Sequence, residues 1–228
     1  MPAYKFYPRK KNFFLSSLSI NTILILINII AFFIFSILFV TNVFSVDAVA
    51  IKPSNIVQGK YLWTFLTSMF MHGGFWHLFV NMFSLFFLGS LVQKILGSKR
   101  YLYFYLISGF FAGLFFVLIS LIYQNDFNTF AVGASGALFG LVGLLVIITP
   151  NLPVFVMFIP IPIKMKYAGP GLLFVLWLIS LAPLVFGGKS LPVGNTAHLG
   201  GLVAGLFYGF YLKNKFPNKT TRINRIFR

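Results

Sequence analysis

Residues 20–43 run for 24 positions without a charged side chain, and a helix needs about 20 apolar residues to cross a bilayer core. Such a segment must bury itself in lipid or in a very large protein core. The rest of the chain decides for lipid. Of its residues 59% are hydrophobic and 9% charged, against about 25% charged in soluble domains. The run is too long for a signal-peptide core and lacks an Ala-x-Ala exit, so it reads as an uncleaved helix. Asn28 within it is expected to face a neighbouring helix.

Further apolar stretches at residues 77–95, 101–123, 135–148, 171–186 and 196–213 are separated by polar or basic connections. The expected fold class is an all-α membrane protein with six transmembrane helices. Residues 44–76 leave the membrane without becoming hydrophilic, and Tyr61 and Trp63 suit an interfacial loop. Pro153, Pro160 and Pro162 forbid a regular helix through residues 154–163 and imply a second interfacial loop. Residues 1–17 read as a basic cytoplasmic N-terminus, 18–213 as the helical core and 214–228 as a basic, flexible cytoplasmic tail.

Basic residues orient the chain. Fifteen of the 18 Lys and Arg lie in the N-terminus, the connections after the second and fourth helices, and the tail. The other side holds only Lys52, Lys60 and Lys189. Under the positive-inside rule both termini are cytoplasmic, and helices two, four and six begin at the outer face. The net charge of +16 then reads as a topology signal, with the lipid bilayer and not nucleic acid as partner. A prokaryotic plasma membrane is the expected location.

The residue inventory excludes much chemistry. Without cysteine there is no disulfide and no thiol nucleophile. Asp47 and Asp126, the two acidic residues, fall in connections, which excludes paired-carboxylate catalysis and a buried Asp completing a triad. Three histidines without a His-Glu-x-x-His pattern argue against zinc, and neither metal nor other cofactor is expected.

What remains centres on residues 131–140, Ala-Val-Gly-Ala-Ser-Gly-Ala-Leu-Phe-Gly. Helix four, from Ser135 to Ile148, covers about 21 Å of a core roughly 30 Å thick before Thr149-Pro150 stops it. If its inner end reaches the cytoplasmic face, Ser135 starts roughly 10 Å below the outer one, with backbone that needs a water-filled cavity. A serine between Gly133 and Gly136, beside the unpaired N–H groups of a helix start, suits a nucleophile with an oxyanion site. Runs of small residues around serine equally suit helix packing.

The topology puts His72, His77 and His198 on the same outer side as Ser135. Gly201, Gly205 and Gly209 share a face with His198, and Gly136, Gly140 and Gly143 are comparably spaced on helix four. Two such backbones can approach until His198 reaches Ser135 at the roughly 2.6–3.2 Å that a general base needs. His77 and Asn81, four apart, share a face and both donate hydrogen bonds, as an oxyanion site asks. Taken singly, His198 also suits an interhelical hydrogen bond, Asn81 packing, and His72 the positioning of a loop.

Gly133-x-Ser135-Gly136, His72 with His77-x-x-x-Asn81, and Ala197-His198-x-x-Gly201-x-x-x-Gly205 together resemble the rhomboid family of intramembrane serine proteases. The resemblance extends over residues 18–213. It implies Ser135 as nucleophile and His198 as general base and acid, a dyad without Asp. It further implies His77, Asn81 and the Ser135 N–H as the oxyanion site, with His72, Gly133, Gly136, Gly201 and Gly205 in support. Helix five and residues 187–195 would be gate and cap. Two positions depart from the family: Thr64 follows Trp63 where members often have Arg, and Phe139 stands where many have a tyrosine packed on the histidine. The implied activity is cleavage of transmembrane protein substrates in or near their membrane segments. The alternative is a rhomboid-like protein that binds transmembrane clients without cutting them. A transporter is disfavoured by the lack of an ionisable coupling residue at mid-membrane.

Overall fold

The structure is a computed structural model that describes residues 18–124, 126–155, 161–185 and 194–227, the side chains of 179–185 excepted. Its first helix, α1 (Ile20–Val40), opens on Ser19, whose hydroxyl accepts the Thr22 N–H. It stops three residues before the apolar run does. The Thr41 N–H and hydroxyl both return to the Ile37 carbonyl, and Asn42 turns left-handed with φ 54°, a conformation asparagine tolerates better than most residues. Only Asn21, Leu24 and Asn28 of α1 are buried, so the helix is peripheral and Asn28 faces inward.

Residues 44–76 are more ordered than an interfacial loop suggests. They contain α2 (Pro53–Val57), α3 (Thr64–Thr67) and 3₁₀ turns at Val46–Ala48 and Ser68–Phe70. Next come α4 (Phe75–Ser84), a π turn (Leu85–Gly89) and α5 (Ser90–Leu96), which run on as one 22-residue helix. α6 (Ser98–Tyr123) and α7 (Ser135–Ile148) follow. Among the described residues three helices, Ile20–Val40, Phe75–Leu96 and Ser98–Tyr123, are long and apolar enough to cross a membrane, and Ser135–Ile148 is a shorter apolar helix. Exposed Phe33, Ile37, Phe83, Phe87 and Ile107 cover their outer surfaces. Such a coat is stable only against lipid, and the protein is an integral membrane protein.

The fifth helix begins earlier than its sequence indicates. A two-residue antiparallel ladder joins β1 (Pro153–Val154) to β2 (Ile163–Lys164), and α8 (Met165–Val185) starts directly after it, six residues before the expected Gly171. The Met165 N–H donates to the Leu152 carbonyl at 2.8 Å and the Lys166 N–H to that of Pro150 at 3.1 Å. Two of the donors that a helix start leaves unpaired are thereby satisfied by chain leaving α7. After α9 (Asn195–Lys215), the supposedly flexible tail is helical, α10 (Pro217–Arg225), begun by a proline in the first turn where its missing N–H loses nothing.

α7 is the centre. Eleven of its fourteen residues are buried, and α6, α8 and α9 pack around it. Its contact with α9 is backbone against backbone. A Cβ on Gly201 would collide with the Gly136 carbonyl oxygen, one on Gly205 with that of Gly140, and one on Gly143 with that of Leu202. At the opposite end of the helices from Ser135, the Tyr101 hydroxyl donates to Asn21 Oδ1 at 2.5 Å, while Asn21 Nδ2 donates to the Leu85 carbonyl at 2.9 Å. The π turn frees that carbonyl from the regular helix pattern, and the three helices are pinned by one buried amide.

Candidate active site

Ser135 is the first residue of α7, and no side chain caps the helix. His198, in the first turn of α9, is 8% exposed. Its Nε2 lies 2.7 Å from Ser135 Oγ, the distance of a short hydrogen bond. The close glycine contacts explain how: Gly136 follows Ser135, Gly201 lies one turn beyond His198, and they meet backbone to backbone. Phe139, one turn along α7, stacks on the His198 ring with centroids 4.7 Å apart and planes 25° from parallel. His198 Nδ1 is buried without a hydrogen-bond partner among the described residues. If Nε2 accepts from the serine hydroxyl, Nδ1 carries the ring proton, and orientation rests on the Phe139 stack and the Ser135 contact.

Gly133, two residues before the serine, has φ +109°, which an L side chain rarely adopts. Space forbids one as well, because a Cβ there would stand 2.8 Å from His77 Nε2. The Gly73 N–H donates to His77 Nδ1 over a long 3.4 Å. With Nδ1 accepting, the proton of neutral His77 sits on Nε2, the atom that faces the serine segment. Asn81 is buried, and its Nδ2 donates to the His77 carbonyl at 2.8 Å, so one amide hydrogen is engaged on its own helix. The His72 ring stands edge-on to His77 at 5.1 Å. Burial, and after it the neighbouring His77, push His72 down to about 4.

Sequence reasoning left open how the first outer loop is held with Thr64 in place of arginine. Its anchors are elsewhere. The Trp63 indole N–H donates to the Ala48 carbonyl at 2.8 Å, and the Thr67 hydroxyl donates to that of Val49 at 2.9 Å. Ile51 and Ala131 exchange both backbone hydrogen bonds, and the Gly133 N–H donates to the Ser68 carbonyl at 2.8 Å. The loop thus braces the backbone that leads into Ser135. Neither Ser68 nor Thr67 was singled out from sequence, where nothing marks them. Of the expected cap, residues 187–193 lie outside the described residues.

A membrane-embedded helical protein with a half-buried serine and a buried histidine in hydrogen-bond contact is the class these observations define. A Rhomboid domain model matches residues 59–215, a stretch that contains Ser135, His198, His77, Asn81 and His72. The chain belongs to the rhomboid family. It is 36% identical over 165 residues to "RHOMBOID-like protein 6, mitochondrial" of Arabidopsis thaliana, covering 72% of this chain and 48% of that protein. It is 29% identical over 160 residues to "Rhomboid protein 1, mitochondrial" of Saccharomyces cerevisiae, 68% of this chain and 43% of the other. With "Rhomboid protease GluP" of Bacillus subtilis it shares 28% identity over 169 residues, 73% and 29% respectively. The chain spans about half or less of the length of these relatives. Mitochondrial proteins stand beside a bacterial one, so the expected prokaryotic plasma membrane draws no support from them.

Proposed function

We propose that this protein is an intramembrane serine endopeptidase of six transmembrane helices, cutting other membrane proteins in or near their membrane segments. The carrying observation is the 2.7 Å contact between His198 Nε2 and Ser135 Oγ. In this reading α7 and α9 begin below the outer surface, both termini are cytoplasmic, and the site opens outward, in line with the distribution of Lys and Arg. His198 Nε2 takes the hydroxyl proton as Ser135 Oγ attacks the scissile carbonyl carbon. The carbonyl oxygen becomes negative and is met by the His77 Nε2–H and the Ser135 N–H, with the second Asn81 amide hydrogen as a third donor. His198 then protonates the leaving amine, and the peptide bond breaks. Water, deprotonated by the same nitrogen, hydrolyses the acyl-enzyme and frees Ser135.

A helical substrate hides its scissile bond in its own hydrogen bonds. Segments with glycine or proline near the outer boundary are therefore cut faster than uninterrupted Leu-rich ones. The test is co-reconstitution with a panel of single-span reporters and mass measurement of the products. Cleavage confined to helix-breaking reporters, and lost with Ser135→Ala, is the expected result. Leu-rich reporters cut fastest, or products that persist with Ser135→Ala, would overturn the reading.

A further inference from the structure

The short helix α10 presents two sides. Thr220 is buried and Ile223 half-buried against the core, whereas Lys219, Arg222 and Arg225 are exposed. Phe216 just before it and Ile226 just after it expose apolar side chains at either end. Between α10 and the start of α6 lies a shallow notch with Arg100 and Lys219 beside an apolar floor that includes Ile148, Leu212 and Ile223. Cations beside exposed hydrophobes, on a helix with a dry inner side, describe a segment lying along a membrane surface.

Charge balance identifies what lies against it. The chain has two acidic side chains, and both are at the other end of the molecule. Asp47 is held there by Asn55 at 2.7 Å and Lys52 at 3.5 Å. Asp126 follows the far end of α6, whose 26 residues span about 39 Å from the end that carries Arg100. Four cations, Arg100, Lys219, Arg222 and Arg225, therefore share one rim with no Asp or Glu of their own chain to neutralise them.

We infer that α10 is a lipid clamp: Arg100 with Lys219, and Arg222 with Arg225, take the phosphodiester groups of anionic phospholipids whose acyl chains lie against the notch and the exposed Phe216 and Ile226. Guanidinium groups suit phosphate through paired N–H donors, and lysine adds a point charge. The inference rests on the proposed placement of this end of α9 at a membrane surface, but not on Ser135 being active.

The test uses the purified full chain in neutral detergent, mixed with equal amounts of dioleoyl phosphatidylglycerol and dioleoyl phosphatidylcholine, the retained lipid being counted by native mass spectrometry. Wild-type protein retains phosphatidylglycerol in clear preference. Each cation near an anionic surface contributes about fivefold in partitioning, so Lys219→Gln/Arg222→Gln/Arg225→Gln brings the preference to near parity. Lys52→Gln/Lys60→Gln, with two cations removed at the other end, keeps it. Equal retention by wild type, or a preference that survives the triple change, would overturn the clamp. So would displacement of the lipid by millimolar inorganic phosphate, which marks a site for soluble anions. Binding is read without catalysis, so failure here is distinct from failure of the protease reading, which serine labelling tests independently.

Discussion

The backbone contact between α7 and α9 makes Gly201→Ala the most informative single perturbation of the fold. The added Cβ would fall on the Gly136 carbonyl oxygen, 3.0 Å from its carbon and 3.3 Å from the Gly140 nitrogen. All three are backbone atoms of α7, so no side chain can swing aside. Real Cβ contacts essentially never fall under 3.0 Å, and relief requires α9 to retreat by about 1 Å. Overpacking of this kind costs about 1–3 kcal/mol. The more telling effect is on the pair one turn away, because a retreat of about 1 Å takes the 2.7 Å contact of His198 with Ser135 outside the roughly 2.6–3.2 Å of effective proton transfer. Misplacement by about 1 Å lowers rate on the order of 100-fold, or about 2.7 kcal/mol of barrier. The assay is the rate of fluorophosphonate labelling of Ser135 together with the melting temperature in detergent. Gly171→Ala is the control, since nothing lies within 4 Å of a Cβ there, and it leaves both readouts near wild type. A Gly201→Ala protein that labels at the wild-type rate would refute the reasoning.

Further outcomes follow from other contacts. His77→Ala, which removes the Nε2–H beside Gly133, lowers reporter cleavage about 10²–10³-fold with little change in melting temperature. Phe139→Leu removes the ring stacked on His198 and slows labelling about 2–10-fold, the worth of an aromatic pair. Asn21→Leu leaves the Leu85 carbonyl and the Tyr101 hydroxyl without their partner and destabilises by about 1–3 kcal/mol, read as a lower melting temperature with the labelling chemistry intact at low temperature. His72 is neutral in the fold down to about 4, whereas its free value is 6.5. The unfolded chain therefore binds more protons between those values, so the melting temperature falls as pH drops from about 6.5 to about 4, and His72→Gln flattens that slope.

The legible parts of the fold were those that depend on local chemistry. Residues 135–148 stand out because small residues begin the run and Thr149-Pro150 ends it, and the helix has those bounds. Repeated glycines on two helices implied backbones in contact, and the contact of Gly201 with Gly136 is of that kind. Bonds between distant residues were not legible. Nothing in sequence ties Asn21 to Tyr101, 80 residues away, because a lone pair of polar groups carries no period. The start of α8 was not legible because the stabilising acceptors, the carbonyls of Leu152 and Pro150, belong to another segment. α10 was hidden by its charge, since a polar run with one half-buried isoleucine gives little sign of the core it leans on. At the candidate site, residue types and topology suggested which side chains converge. They said nothing of the His77 tautomer, which depends on a contact with the Gly73 N–H, or of the loop bonds that set Gly133.

The central claim is that Ser135 is a nucleophile activated by His198. Labelling of the purified protein with a fluorophosphonate tests it without knowledge of any substrate, comparing wild type, Ser135→Ala and His198→Ala and locating the adduct by peptide mass. One adduct on Ser135 in wild type, absent from both variants, is the predicted result. Folded wild-type protein that takes up no probe shown to enter the membrane, or an adduct on Ser135 that forms equally well with His198→Ala, would contradict it.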